Sequence, residues 1–240
     1  MDITTALASP TSVRVIVFDR DDTLLRDCSV QLIEQCRRIM PELTAEDFFA
    51  HWREMGHLIP VDPHERREFW PFYYHSLVAS KGGSVHQADQ ITETFFTINT
   101  YYHCYPDTLS CLAGLRERGF RLAVLTDNPF DDLAGAFTHA GVDPSCFDVI
   151  MSSLPNRKPS PIAYQHAATA LHVRTDECLF IDNEPENVRG AIAVGMQSVL
   201  IDRSGVHHEE GLVTVHRLDQ LLSLDPRVPR TQRGAQRAGG

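Results

Sequence analysis

Val13-Arg14-Val15-Ile16-Val17-Phe18-Asp19-Arg20-Asp21-Asp22-Thr23 is a β-branched apolar run that breaks off at one carboxylate and continues with two more. An unrelieved apolar strand of this kind is buried on both faces, as strands of parallel sheets are, and its polar residues gather at the carboxyl end. Three further runs end in the same way: Leu122–Leu125 stops at Thr126, Leu179–Ile181 at Asp182 and Ser198–Ile201 at Asp202. Helical patterns lie between them at Leu109–Arg118, Phe130–Ala140, Pro161–Leu171 and Glu186–Val194, three of them followed by Gly119, Gly141 and Gly195 as left-handed caps. Strand and helix alternating at this spacing predict an α/β fold built on an open, mainly parallel sheet.

Residues 27–103 interrupt that alternation. They carry helical patterns at Glu46–Met55, Glu65–Ala79 and Gln87–Tyr102 and no clear strand. An all-helical insertion over 27–103 is therefore expected, with residues 1–26 and 104–224 forming the core around the sheet. Pro71 should kink or restart the second helix, because its ring removes a hydrogen bond and clashes one turn back. Residues 225–240, rich in Arg, Gly and Gln, are expected to form a disordered tail.

With 240 residues and 42% apolar side chains the chain can bury one sizeable core. Acidic residues outnumber basic ones by 32 to 22, and the tail's four arginines contribute +4 to the net charge of −10, so residues 1–225 carry −14. A body that acidic does not grip nucleic acid or anionic lipid by general electrostatics, and any phosphate must be held locally. No apolar run approaches the roughly 18–20 residues of a bilayer span. The N-terminus lacks a basic segment followed by an apolar one, so no secretory signal is expected. Six cysteines in no C-x-x-C pair suggest reduced thiols in a cytoplasmic protein, and the acidic body implies neither nucleic-acid nor membrane partners. Nothing in the sequence specifies an oligomeric state.

In an open α/β sheet, ligands bind at the carboxyl ends of the strands. The residues there are Asp19, Asp21 and Thr23 after the first run, Thr126, Asp127 and Asn128 after the second, and Asp182 and Asn183 after the third, with Lys158 opening a helix in between. Each alone has an ordinary explanation. Asp and Thr after a strand often cap the next helix, and Lys158 within Arg157-Lys158-Pro159 reads as an exposed basic loop. Together on one sheet edge they make a chemical inventory. Two carboxylates two residues apart can divide attack and proton transfer between them. A further acid or amide completes an all-oxygen site suited to Mg²⁺, and a hydroxyl, backbone amides and a lysine can cradle a phosphoryl group.

Four ordered segments carry a family resemblance. Val15–Leu24 resembles the first motif of the haloacid dehalogenase superfamily, an apolar strand followed by D-x-D-x-T, and Leu122–Thr126 resembles the second. Lys158-Pro159-Ser160-Pro161 is similar to the third motif, and Leu179–Asn183, with Glu186-Asn187-Val188 and Gly195-Met196 beyond it, to the fourth. The resemblance implies a Rossmann-like sheet with a small helical cap domain inserted after the first strand, where residues 27–103 fall. It also implies roles. Asp19 would be the nucleophile that forms an aspartyl-phosphate, and Asp21 would protonate the leaving oxygen and later activate water. Thr126, Asp127 and Lys158 would bind the phosphate, and Asp19, Asp21 and either Asp182 or Asn183 would hold Mg²⁺.

The match has departures. Asp22 stands where the family usually has Gly and is expected to point away as a helix cap. Asp127 and Asn128 follow Thr126 where a single Asn commonly comes directly after the hydroxyl residue. The amides of Asn183 and Asn187 replace carboxylates in the fourth motif, which implies weaker metal affinity. Family members named for dehalogenation lack the second Asp of the first motif, so Asp21 implies phosphate chemistry. The resemblance thus implies a Mg²⁺-dependent phosphomonoesterase acting on a small phosphorylated metabolite. The alternatives are a phosphomutase of sugar phosphates and a binding or regulatory homologue without turnover. Within the insertion, His51, Arg53, His57, Arg66, Arg67, Trp70, Tyr73 and Tyr74 are candidate substrate contacts, each with packing or a solvated helix face as its ordinary explanation. The twelve histidines form no zinc pattern, and His207-His208 is expected to be exposed.

Overall fold

The computed structural model describes residues 13–224 apart from 27, 61, 129–131 and 206–208. The tail expected at 225–240 and His207-His208 lie outside the described residues. Among the described residues six strands form one sheet: β1 (Val15–Phe18), β4 (Arg121–Thr126), β5 (Val149–Ser152), β6 (Cys178–Asp182), β7 (Gln197–Ile201) and β8 (Thr214–Val215). Their order is β5-β4-β1-β6-β7-β8, with every neighbouring pair parallel. The chain lays strands to one side of β1 and then crosses to build the other, which is the Rossmann-like arrangement, with its switch point at the carboxyl ends of β1 and β6.

The strands are apolar throughout because both faces are covered. Val15, Val17, Ala123, Leu125 and Phe180 pack with Tyr164 and Ala167 of α7 (Pro161–Ala170) and Ala191 of α8 (Pro185–Ala193). Ile16, Phe18, Leu122, Val124 and Ile181 face the other way, clustering with Leu112 and Leu115 of α5 (Thr108–Glu117) and Phe137 of α6 (Leu133–His139). This alternation with a period of two is the pleat of the strands expressed in packing. Gly119 and Gly195 take φ of 87° and 88°, the left-handed value their place after a helix requires. The pattern gave no signal for β5 or β8, which are short strands at the two edges of the sheet.

Among the described residues four α-helices lie between β2 (Leu25–Arg26) and β3 (His103–Cys104): α1 (Ser29–Ile39), α2 (Ala45–Met55), α3 (Pro63–Ser80) and α4 (Val85–Phe96). β2 and β3 pair antiparallel, so His103, within the stretch read as strandless, bonds back to Arg26. Thr44 with Asp47 and Ser84 with Gln87 form capping boxes that start α2 and α4. α3 continues through Pro71 instead of restarting there. The helix is held on both sides of the proline by α4, since Trp70 and Tyr74 lie 4.5 and 4.9 Å from the Phe95 ring. That packing offsets a cost of about 3 kcal/mol. The expected helix Gln87–Tyr102 ends early, at Phe96, and a 3-10 turn covers Ile98–Tyr101. All six cysteines are free thiols, and no helix among the described residues is long and apolar enough to cross a membrane.

Candidate active site

Asp19 follows β1 directly. Its N–H donates to the Ile181 carbonyl at 2.8 Å, which extends the β1–β6 ladder by one residue and places the two strand-end acids, Asp19 and Asp182, side by side. Lys158 arrives from the loop after β5, and its Nζ donates to Asp19 Oδ1 at 2.5 Å and to Asp182 Oδ2 at 2.7 Å. All three are buried. Asp182 is held further: Oδ1 accepts from the Glu184 N–H at 2.8 Å and Oδ2 from Asn187 Nδ2 at 3.1 Å. The lysine loop is pinned by Asp127, whose Oδ1 accepts from the Lys158 backbone N–H at 3.1 Å and from the Ser153 hydroxyl.

Three carboxylates, Asp19, Asp182 and Asp127, thus act on one ammonium. Burial lifts the Asp19 carboxyl well above the usual carboxylate range; Lys158 opposes this, while Asp182 and Asp21 reinforce it. Burial also works against the charge of Lys158, but Asp19, Asp182 and Asp127 outweigh it and hold the ammonium above the ordinary lysine range.

Beyond Asp19 the chain turns sharply. Asp22 takes φ of 53°, in the left-handed region where Gly is at home and Asp is among the few other residues tolerated. Its N–H donates to the Leu25 carbonyl at 2.7 Å, and the Tyr105 hydroxyl donates to its Oδ1 at 3.1 Å. The expectation that Asp22 caps a helix and points away is corrected: a tight turn and β2 follow it, and it lines the cavity described below. Arg20 is wholly buried and clasps Asp21 in a fork, Nε and Nη2 each 3.1 Å from a carboxylate oxygen. Nη2 also donates to the Tyr102 hydroxyl at 2.5 Å, so the orientation of Asp21 is tied to the end of the helical insertion. Arg203, after β7, donates to the Thr23 carbonyl and pairs with Asp107 at 3.1 Å, bracing the turn from the other side. Thr23 itself is buried and does not line the cavity.

One cavity of about 430 Å³ brings the strand ends together. Asp19, Asp21, Thr126, Asp127, Lys158, Asp182 and Asn183 all line it. Thr126 Oγ1 accepts from the Asn128 N–H at 3.1 Å, which leaves its own proton for a ligand. Of the eight candidates in the insertion, only Tyr73 and Tyr74 line the cavity. His51 bonds to the Tyr73 carbonyl at 3.0 Å, Arg53 pairs with Glu46 at the surface, and Trp70 packs in the core. Sequence reasoning missed Arg20, Phe48, Trp52, Phe95 and Tyr102 as site residues, and it read Asn187 only as part of the metal motif, whereas its amide bonds to Asp182. The i, i+4 spacing of Phe48 and Trp52 marks one helix face, but nothing in it says that the face meets a ligand.

Among the described residues no three His, Cys, Asp or Glu side chains form a ready metal cluster. The available donors are mixed: the Asp19 carboxylate, the oxygens of Asp21 and the amide of Asn183 share the cavity. These hard oxygen donors fit Mg²⁺, which takes one or two carboxylates and completes its shell with water and phosphate. Asp182 fits less well, because its oxygens are already engaged by Glu184, Asn187 and Lys158.

Residues 13–195 match the haloacid dehalogenase-like hydrolase family. The chain is 30% identical over 198 residues to a protein named Phosphatase MT3486 from Mycobacterium tuberculosis, covering 81% of this chain and 89% of that one. It is 26% identical over 227 residues to a phosphoserine phosphatase from Thermus thermophilus, covering 80% and 89%. Among solved structures, a 2-haloacid dehalogenase from Pseudomonas syringae pv. Tomato DC3000 matches with a TM-score of 0.67 at 20% identity, over 88% of this chain and 97% of that one. At that identity the likeness is one of fold.

Proposed function

Because the chain belongs to the haloacid dehalogenase-like hydrolases, we propose that it is a Mg²⁺-dependent phosphomonoesterase acting on a small phosphorylated metabolite. The observation that carries this reading is Asp21, a second carboxylate on the same cavity two residues beyond the nucleophile. A halide leaves carbon without a proton, whereas an alcohol leaving phosphorus needs one, and Asp21 is the group placed to give it.

An Asp19 oxygen attacks phosphorus, the ester P–O bond breaks, and Asp21 protonates the departing oxygen. Water then attacks the aspartyl-phosphate with Asp21 taking its proton; the bond from phosphorus to Asp19 breaks and phosphate leaves. Thr126 and Lys158 hold the phosphoryl oxygens. Asp127 contributes its backbone N–H, since its carboxylate is engaged by Ser153 and Lys158 and would repel the substrate. To act as an acid, one Asp21 oxygen must carry a proton, which weakens the hydrogen bond it accepts from Arg20. Asp19, the Asp21 main-chain carbonyl and the Asn183 amide would hold Mg²⁺, whose charge offsets the repulsion between Asp19 and a phosphate dianion. The helices α1–α4, which supply the far side of the cavity, would act as the cap.

Incubating the protein with a panel of phosphate esters and Mg²⁺ should release free phosphate. EDTA should reduce release to background, and added Mg²⁺ should restore it. Asp21→Asn should slow turnover by about 10²–10⁴-fold. Halide release from 2-haloacids without phosphatase activity would instead make the chain a dehalogenase, an isomerised sugar phosphate a phosphomutase, and ligand binding without turnover a regulatory homologue.

A further inference from the structure

The insertion side of the cavity is apolar, and its rings hold one another in place. Trp52, Tyr73, Tyr74 and Phe95 line it in sequence, with centroids 6.4, 5.0 and 4.9 Å apart from one ring to the next. Charge among the described lining residues is mostly negative: Asp21, Asp22 and Glu184 join the acids already described. Among the described lining residues only two are cations. Lys158 is held between Asp19 and Asp182. Arg157 lies 5.1 Å from the Trp52 ring centroid, and its Nη2 reaches the Gly56 carbonyl at 3.4 Å. A volume of about 430 Å³ exceeds what a phosphoryl group alone requires and lies in the range of small-molecule sites.

Resting on the phosphatase reading, we infer that the substrate's leaving group is uncharged and largely apolar, an alkyl or arylalkyl alcohol seated against Trp52 and the tyrosines. A leaving group bearing a carboxylate would enter this cavity against Asp21, Asp22 and Glu184 with only Arg157 to meet it, and would lose its hydration among aromatic rings. An apolar chain pays neither penalty and gains from leaving water.

The test is kcat/KM with Mg²⁺ for ethyl, butyl and hexyl phosphate, 2-phenylethyl phosphate, phosphoglycolate and O-phosphoserine. The straight-chain alcohols are nearly equal as leaving groups, so chain length reports on binding. Burying one methylene is worth about 0.8 kcal/mol, or about fourfold, so kcat/KM should climb about fourfold per carbon until the cavity fills. The hexyl and phenylethyl esters should exceed both carboxylated ones. Trp52→Ala should shrink the hexyl-to-ethyl ratio by about tenfold, the effect of removing part of a hydrophobic wall. Phe49→Ala, at a half-exposed cavity residue, gives the same readout should the tryptophan variant not fold. A flat alkyl series, or a preference for phosphoglycolate or O-phosphoserine, overturns the inference and leaves the phosphatase reading standing. Phosphate released from none of the esters overturns that reading, and the inference with it.

Discussion

Asp19→Asn should abolish the proposed release of phosphate from esters, by at least about 10³-fold, because losing the proposed nucleophile disables the groups that work with it. The amide keeps an oxygen able to accept from Lys158, so the geometry around it should persist. The same substitution should raise the melting temperature. Burial lifts the Asp19 carboxyl well above its ordinary range, so at neutral pH the folded state carries a penalty that the unfolded chain, with an ordinary carboxylate, does not. A neutral isostere removes that penalty, and each 1 kcal/mol is worth about 2–4 °C in a chain of this size. The gain should be present at pH 7, shrink as pH falls toward about 3.9, the pKa of the unfolded carboxyl, and vanish below it, where Asp19 is protonated in both states. Normal turnover by the variant would remove Asp19 from the mechanism. Lost turnover with a lowered melting temperature would point to misfolding. The expected combination, inactive and more stable, is the signature of a site whose charges are arranged for reaction rather than for folding.

The central strands and their terminal acids were legible because a strand buried on both faces must be apolar until it reaches the sheet edge, and Asp19, Thr126 and Asp182 mark those edges. The edge strand β5 was not, since three apolar residues beside Asp148 do not stand out from a loop. α1 was missed because Gln31, Glu34, Gln35, Arg37 and Arg38 crowd its sequence and leave Leu32, Ile33 and Cys36 as its buried stripe. Asp22 shows a different limit. A carboxylate after a strand suggests a cap, but the left-handed backbone that explains the usual Gly at that place is a property of the turn. The Arg20–Asp21–Tyr102 contact joins residues 82 apart in the chain. Only packing of the insertion onto the sheet creates it. The aromatic run of α3 was visible as a cluster, yet Trp70 goes to the core while Tyr73 and Tyr74 line the cavity, a division set by how α2 and α4 dock against it.

Lys158→Met should be among the most damaging single changes, because it removes the cation that lies between two buried carboxylates. Asp19 and Asp182 accept from the same ammonium, and their side chains are almost fully inaccessible. Removing one partner of such a buried arrangement leaves charge without compensation, at a cost of about 3–5 kcal/mol. At about 2–4 °C per kcal/mol, the melting temperature should fall by about 6–20 °C at neutral pH. On the proposed mechanism turnover should fall by at least about 10²-fold as well, since Lys158 would supply the fixed positive charge facing the phosphoryl oxygens. The two losses have separate causes, and a second substitution divides them. Lys158→Met combined with Asp182→Asn removes one of the stranded carboxylates and should recover part of the lost melting temperature while recovering no turnover. Recovery of activity in the double variant would mean that the lysine serves only to neutralise Asp182. An unchanged melting temperature in the single variant would mean that the carboxyls share protons instead of relying on Lys158.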